Sequence, residues 1–169
     1  TAVRTLLPLE HFAEVTLEAN PGTFEAQKFA DFRAAGINRL SIGIQSFNAQ
    51  HLKALGRVHD DQEAHRAVEI ALKNFDNINL DLMYALPGQT LEEAQTDIEM
   101  ACSLGVTHIS AYHLTLEPNT LFHRFPPNLP DDEQAAAMQE MIEQTTASHQ
   151  YRNYETSAFA RAGKESRHN

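Results

Sequence analysis

One sequence pattern repeats along the chain: a short apolar run ends in a polar residue, and a helical stretch follows. The apolar runs predict strands over residues 14–18, 39–46, 78–86 and 108–116. Apolar positions at helical spacing predict helices over residues 24–35, 62–73, 91–104 and 131–149. Because strands alternate with helices, the pattern predicts a parallel α/β sheet with right-handed crossovers.

Similar βα units in series favour a partial barrel of the TIM type. A flat, doubly wound sheet is the alternative, but the sequence contains neither G-x-G-x-x-G nor G-x-x-x-x-G-K-[ST] to support it. A helix is predicted over residues 2–13 and a strand-like run over residues 154–159. Since the chain would begin within a helix and stop without a closing element, we expect both ends to be cut.

Polar residues stand at or near the ends of the four predicted strands. They are Glu18, Gln45, Asp81 and Thr115. Ligands of parallel α/β folds bind at the carboxyl ends of strands, so we expect these side chains to face one site. Burying an unpaired carboxylate is costly. Glu18 and Asp81 therefore bind either a hydroxyl or amine of a ligand, or Arg39 or Arg57 in a salt bridge.

Three of the candidate residues have structural interpretations that stay open. Gln45 can donate and accept towards a ligand, and it can equally be a core amide bonded to the backbone. Arg57 follows Gly56 in a polar loop, where its planar fork suits a carboxylate ligand or extends into solvent. The hydroxyl of Thr115 either faces the site or is bonded locally.

The aromatic, histidine and cysteine residues add less. His108, Tyr112 and His113 could line a pocket, although a tyrosine in a strand is more often part of the core. The nine histidines form no H-E-x-x-H motif and no tight cluster, so we predict no metal ligand among them. Cys102 lies on the predicted buried face of its helix, which indicates inert packing.

Composition and charge narrow the class of protein. The chain has 169 residues, of which 42% are hydrophobic, so it can build a core. Its 23 acidic and 13 basic side chains give a net charge of -10, which argues against general nucleic-acid binding. No apolar stretch approaches the roughly 18 residues of a membrane span. A single cysteine permits no internal disulfide and fits the cytoplasm.

Six segments together carry a family resemblance over nearly the whole chain. They are residues 17–23, 38–47, 55–57, 79–90, 116–122 and 154–158. Because these segments occur in the same order as in that family, the chain resembles the radical-SAM proteins related to oxygen-independent coproporphyrinogen III oxidase. The motifs E-A-N-P-G-T at residues 18–23 and E-P-N-T at residues 117–120 are most similar to those of the heme-chaperone branch of that family.

The resemblance implies a partial (β/α)6 barrel that holds a [4Fe-4S] cluster and S-adenosylmethionine. It assigns S-adenosylmethionine contacts to the positions of Glu18, Gln45, Arg57, Asp81 and Thr115, some of which serve a second S-adenosylmethionine in the oxidase. It further implies that the protein binds heme and delivers it to acceptor proteins, with His168 as a heme ligand. The alternative is an oxidase that decarboxylates coproporphyrinogen III.

Three family motifs are absent or incomplete. The sequence has no C-x-x-x-C-x-x-C cluster loop and no G-G-T-P segment, and the family's H-N-x-x-Y-W motif begins at His168. Residues 1–169 are therefore expected to form the central and C-terminal part of a radical-SAM barrel domain. Because iron-sulfur clusters need several thiolates, the chain by itself is expected to be catalytically silent.

Overall fold

A six-stranded sheet organises the protein in the computed structural model, which describes residues 2–6, 8, 10–23, 26–57 and 61–167. The strands are β1 (Thr16–Ala19), β2 (Arg39–Gln45), β3 (Ile78–Tyr84), β4 (His108–His113), β5 (Arg152–Glu155) and β6 (Ala158–Ala160). The helices are α1 (Ala2–Leu6), α2 (Ala26–Ala34), α3 (Ala49–Ala54), α4 (Asp61–Asn74), α5 (Leu91–Ser103), α6 (Leu121–Arg124) and α7 (Asp132–Ser148). A short 3-10 helix, Pro21–Thr23, follows β1.

The sheet has the order β1-β2-β3-β4-β6-β5, and β1 to β4 are parallel, as predicted. The predicted single strand over residues 154–159 is wrong. This region contains β5 and β6, which pair antiparallel with each other, while β6 pairs antiparallel with β4. Only two residues, Thr156 and Ser157, separate β5 from β6. A connection this short permits a hairpin but no parallel crossover.

Several predicted boundaries differ from the structure. Helix α1 ends at Leu6 instead of residue 13, and α3, which Asn48 caps through a bond from the Gln50 amide, was not predicted. Strand β4 ends at His113, so Thr115 lies in the following loop.

The outer face of the sheet carries the hydrophobic core. Leu40, Ile42 and Ile44 of β2 are fully buried there, beside apolar side chains of β3 and β4. Helices α2, α4, α5 and α7 pack on this face through buried side chains that include Phe29, Val68, Ile98, Cys102 and Ile142. Burial raises the pKa of the Cys102 thiol to about 11, which confirms its assignment as inert packing.

The inner face of the sheet is polar, because residues alternate between the two faces of a strand. Arg39 and Ser41 of β2, Asn79 and Asp81 of β3, and Ser110 of β4 all line one cavity on this face. Helices on one face and a polar cavity on the other fit an arc of a barrel better than a doubly wound sheet. None of the described helices is long and apolar enough to cross a bilayer.

Candidate functional site

The candidate site is a cavity of about 350 Å³ on the inner face of the sheet. It is lined by Glu18, Arg39, Ser41, Gln45, Asn79, Asp81, Met83, His108, Ser110 and Tyr112. Three of the five residues assigned to S-adenosylmethionine, namely Glu18, Gln45 and Asp81, therefore meet in one cavity. His108 and Tyr112 also contribute, which supports the pocket interpretation for both.

Glu18 lies on the edge strand β1, where it pairs in register with Ser41 of β2. Its side chain is exposed, in the same cavity as the more deeply buried Asp81. Among the residues that the structure describes, no ion pair joins Glu18 or Asp81 to Arg39 or Arg57. The salt-bridge interpretation is therefore not supported, and the carboxylate of Glu18 is available to a ligand.

Asp81 lies in the middle of β3 rather than at its end, and its carboxylate accepts two hydrogen bonds. Ser41 Oγ donates to Oδ2 over 2.8 Å, and Asn79 Nδ2 donates to Oδ1 over 2.8 Å. Burial raises the pKa of Asp81 above its usual value, and these two hydrogen bonds oppose the rise. Both oxygens are held in fixed positions that leave further lone pairs for a ligand's donors.

A chain of hydrogen bonds fixes the floor of the cavity. His108 Nδ1 donates to Asn79 Oδ1 over 2.6 Å, and His108 Nε2 accepts from the Tyr154 hydroxyl over 2.7 Å. The Tyr154 hydroxyl in turn accepts from the Ser166 amide over 3.0 Å. Ser110 Oγ also donates to Asn79 Oδ1. Since each member is satisfied, the network holds Asn79, and through it Asp81, in one orientation.

A β-bulge directs Gln45 into the cavity. Ile42 pairs with Leu80 and Gln45 with Leu82, so three steps on β2 oppose two on β3. The φ of Gln45 is +68°, a left-handed conformation that non-glycine residues seldom adopt and that concentrates at functional sites. Gly43 leaves space for it: a Cβ there would lie 2.9 Å from Gln45 Nε2 and 3.0 Å from Asn20 Oδ1.

Gly43→Ala is expected to weaken ligand binding while the fold is retained, because the new methyl group displaces flexible side-chain ends rather than backbone. Affinity for S-adenosylmethionine, measured by calorimetry, should fall. In the double variant with Gln45→Ala, the two losses should not add, because both act through the Gln45 amide. Additive losses would contradict this account of Gly43.

Asp97 of α5 anchors the turn that follows Gln45. Its carboxylate accepts from Ser46 Oγ over 2.6 Å and from the Phe47 amide over 2.8 Å, and it is 3% exposed. Burial raises the pKa of Asp97, against the opposing effect of these hydrogen bonds. A buried side chain on a helix behind the sheet thereby fixes the backbone next to the cavity.

Asp97→Ala is expected to destabilise the protein by about 2 kcal/mol, because it leaves the buried Ser46 hydroxyl and the Phe47 amide without an acceptor. Asp97→Asn is the matched control, since its amide oxygen still accepts the Phe47 bond. Urea unfolding should give a lower midpoint for the alanine variant than for the asparagine variant. Equal midpoints would show that these bonds do not anchor the turn.

The remaining predicted residues lie elsewhere. Arg57 is exposed and does not line the cavity, but its Nη1 donates to Asn20 Oδ1 over 3.4 Å at the rim beside Gly43. Thr115 is exposed in the loop after β4 and donates to Glu117 Oε1 over 3.0 Å. His113 faces away from the cavity, against the ring of Tyr84. His168 lies outside the described residues.

The structure adds five cavity residues that were not predicted as site residues: Arg39, Ser41, Asn79, Met83 and Ser110. Each of the five is separated by an even number of positions from a predicted cavity residue on the same strand. The period of two along β2, β3 and β4 was therefore the signal that could have found them. Arg39 was considered only as a salt-bridge partner, whereas it lines the cavity beside Asp81.

The donor and acceptor set fits a polar organic ligand better than a metal. Two carboxylates, two amides and several hydroxyls can bind ribose hydroxyls, an ammonium group or a carboxylate. Within the described ranges, no group of three or more His, Cys, Asp or Glu side chains is arranged to hold a metal ion. The single, buried Cys102 cannot supply the thiolates of an iron-sulfur cluster.

Comparisons with known proteins agree with this geometry. The model of the radical SAM superfamily matches residues 2–101, more than half of the chain. The heme chaperone HemW of Escherichia coli is 50% identical, covering 99% of this chain and 44% of the relative. HemW of Bacillus subtilis is 41% identical, covering 98% and 45%. The chain thus spans less than half the length of these relatives.

Among solved structures, coproporphyrinogen III oxidase (HemN) from Escherichia coli has the same fold. Its TM-score is 0.86 at 24% identity, covering 96% of this chain and 38% of that one. Archaeal Elp3 from Methanocaldococcus infernus matches with a TM-score of 0.64 over 77% of this chain and 32% of that one, at 17% identity. The predicted radical-SAM type of partial barrel is confirmed, and the chain belongs to the radical SAM superfamily.

Proposed function

We propose that this chain is the central and C-terminal part of the barrel domain of a longer radical-SAM heme chaperone, in which the inner-face cavity binds S-adenosylmethionine. The observation that carries the proposal is the convergence of Glu18, Gln45 and Asp81 on one cavity. The identity of 50% to a heme chaperone, over nearly all of this chain, supports the choice of branch.

The residues fit S-adenosylmethionine chemically. The carboxylates of Glu18 and Asp81 can accept hydrogen bonds from ribose hydroxyls or from the ammonium group. The Gln45 amide, fixed by the bulge, can donate and accept at once. Arg57 at the rim and Thr115 in the loop after β4 remain proposed contacts, and each would need a ligand that extends beyond the cavity.

The iron-sulfur cluster would be held by thiolates outside this chain, because the chain has one cysteine and that cysteine is buried. When bound, the cluster supplies an electron to S-adenosylmethionine, so the cofactors and not the side chains of this chain provide the reactive groups. The residues described above bind and orient the ligand. Their fixed hydrogen bonds keep Asp81 in position without the need to reorder on binding.

We propose that the protein's cargo is heme, which it delivers to acceptor proteins in the cytoplasm. His168 remains a candidate heme ligand, since a neutral imidazole is a common axial ligand of heme iron. The relatives' names support heme as the cargo.

Heme titration of the full-length protein tests this function. The protein is reconstituted anaerobically with iron and sulfide, and heme binding is followed by absorption with and without S-adenosylmethionine. We expect saturation near one heme per chain and transfer of that heme to an acceptor apoprotein. Failure to bind heme with the cluster intact would overturn the proposal.

A further inference from the structure

Arg39 presents an unmet hydrogen-bonding requirement inside the cavity. It is 2% exposed, lines the cavity, and its buried Nε has no hydrogen-bond partner among the described residues. A guanidinium presents five N–H donors in a rigid fork and stays charged at any physiological pH. Burying such a group without a partner is costly, so an acceptor is expected in the complete, loaded protein.

The carboxylates on the same face do not meet this requirement. Asp81 influences Arg39 through its charge, but both of its oxygens already accept bonds from Ser41 and Asn79. No ion pair within the described part of the chain includes Arg39. The Nε of Arg39 therefore has no acceptor among the described residues.

The position of Arg39 along β2 indicates where the acceptor group of a ligand would bind. Arg39 is the first residue of β2 and Gln45 is the last, so the two are separated by roughly 20 Å of strand. The backbone of Arg39 thus lies at the opposite end of β2 from the backbone of Gln45. A ligand group at Arg39 is a second anchoring point, independent of the contacts proposed for Gln45.

We propose that Arg39 forms a carboxylate-binding subsite at the N-terminal end of β2, which receives a carboxylate of a ligand held in the cavity. The inference rests on the proposed function, which supplies two sources of this group: the carboxylate of S-adenosylmethionine or a propionate of heme. An arginine fork matches a carboxylate in a bidentate manner, which gives both affinity and orientation.

Ligands with and without the carboxylate test the subsite in the reconstituted full-length protein. Calorimetry compares S-adenosylmethionine with its decarboxylated form, and absorption titration compares heme with its dimethyl ester. In Arg39→Gln, affinity should fall at least about tenfold for the ligand whose carboxylate binds Arg39, and stay unchanged for its carboxylate-free partner. Arg66→Gln, on the exposed face of α4, is the matched control.

The two arms identify the source of the carboxylate, and Arg39→Lys provides the variant that retains the charge if Arg39→Gln does not fold. Lysine lacks the planar fork, so it should lose affinity selectively for the same ligand. Intact binding of both ligands in either variant, or equal losses with and without the carboxylate, would overturn the subsite alone. If neither ligand binds the wild-type protein, the proposed function itself fails.

Discussion

Glu18→Ala in the reconstituted full-length protein is expected to weaken S-adenosylmethionine binding by about 10- to 100-fold, the worth of a lost hydrogen bond to a charged group. The fold should be retained, because Glu18 is exposed on an edge strand and forms no ion pair with a described arginine. Calorimetry gives the affinity, and circular dichroism gives the melting temperature.

Two variants separate the role of Glu18 from a general effect of charge. Glu69→Ala removes an exposed carboxylate from α4, on the opposite side of the sheet, and should leave the affinity unchanged. Glu18→Gln keeps one acceptor oxygen and should fall between wild type and Glu18→Ala. An unchanged affinity in Glu18→Ala would remove Glu18 from the binding site.

Asp81→Asn is expected to weaken S-adenosylmethionine binding by about tenfold or more while raising the melting temperature at pH 7. The raised pKa of Asp81 means that the folded protein favours the neutral carboxyl more than the unfolded chain does. A neutral amide of the same shape avoids the burial cost of the charge and still accepts the bond from Asn79. Each kcal/mol gained corresponds to about 2–4 °C for a chain of this size.

The raised pKa of Asp81 also determines how the stability difference between the variant and the wild type changes with pH. The folded protein binds a proton at Asp81 more tightly than the unfolded chain does, so the charged Asp81 destabilises the folded state at high pH. Its contribution becomes more favourable as the pH falls through the raised pKa towards the ordinary value of 3.8. The stability advantage of Asp81→Asn should therefore shrink as the pH is lowered into that window.

A matched control isolates the buried position. Asp76→Asn replaces a carboxylate whose side chain is 90% exposed, so its effect on the melting temperature should be small at every pH. If Asp81→Asn is less stable than wild type at pH 7, then the charge of Asp81 stabilises the fold. The interpretation of its raised pKa would then be wrong.

Much of the fold was predictable because its signals are local. The alternation of strands and helices predicted β1 to β4 as a parallel series, and helical spacing predicted α4, whose Ala64, Ala67, Val68 and Ala71 are buried. The antiparallel β5–β6 hairpin was missed because its two-residue turn lacks glycine, and Ser157 takes the left-handed conformation instead. Helix α3 was missed because its six residues are too few for a periodic pattern.

The site was predictable only in part. Polar residues near strand ends indicated Glu18, Gln45 and Asp81, and the structure unites them in one cavity. Arg39 and Asn79 were not recognised because their role depends on cross-strand register, which pairs Asn79 with Ser41 and His108. The bulge before Gln45 could not be predicted from the sequence. Its one sequence feature is Gly43, and the need for glycine there becomes clear only when the structure places Asn20 beside it.

The most direct test of the central proposal is an assay for decarboxylation of coproporphyrinogen III. The full-length protein, with its cluster intact, is incubated anaerobically with S-adenosylmethionine, a reductant and coproporphyrinogen III, and the products are separated by chromatography. The heme-chaperone proposal predicts no decarboxylated porphyrinogen from a preparation that binds about one heme per chain. Product formed over multiple turnovers would contradict it and identify the protein as an oxidase.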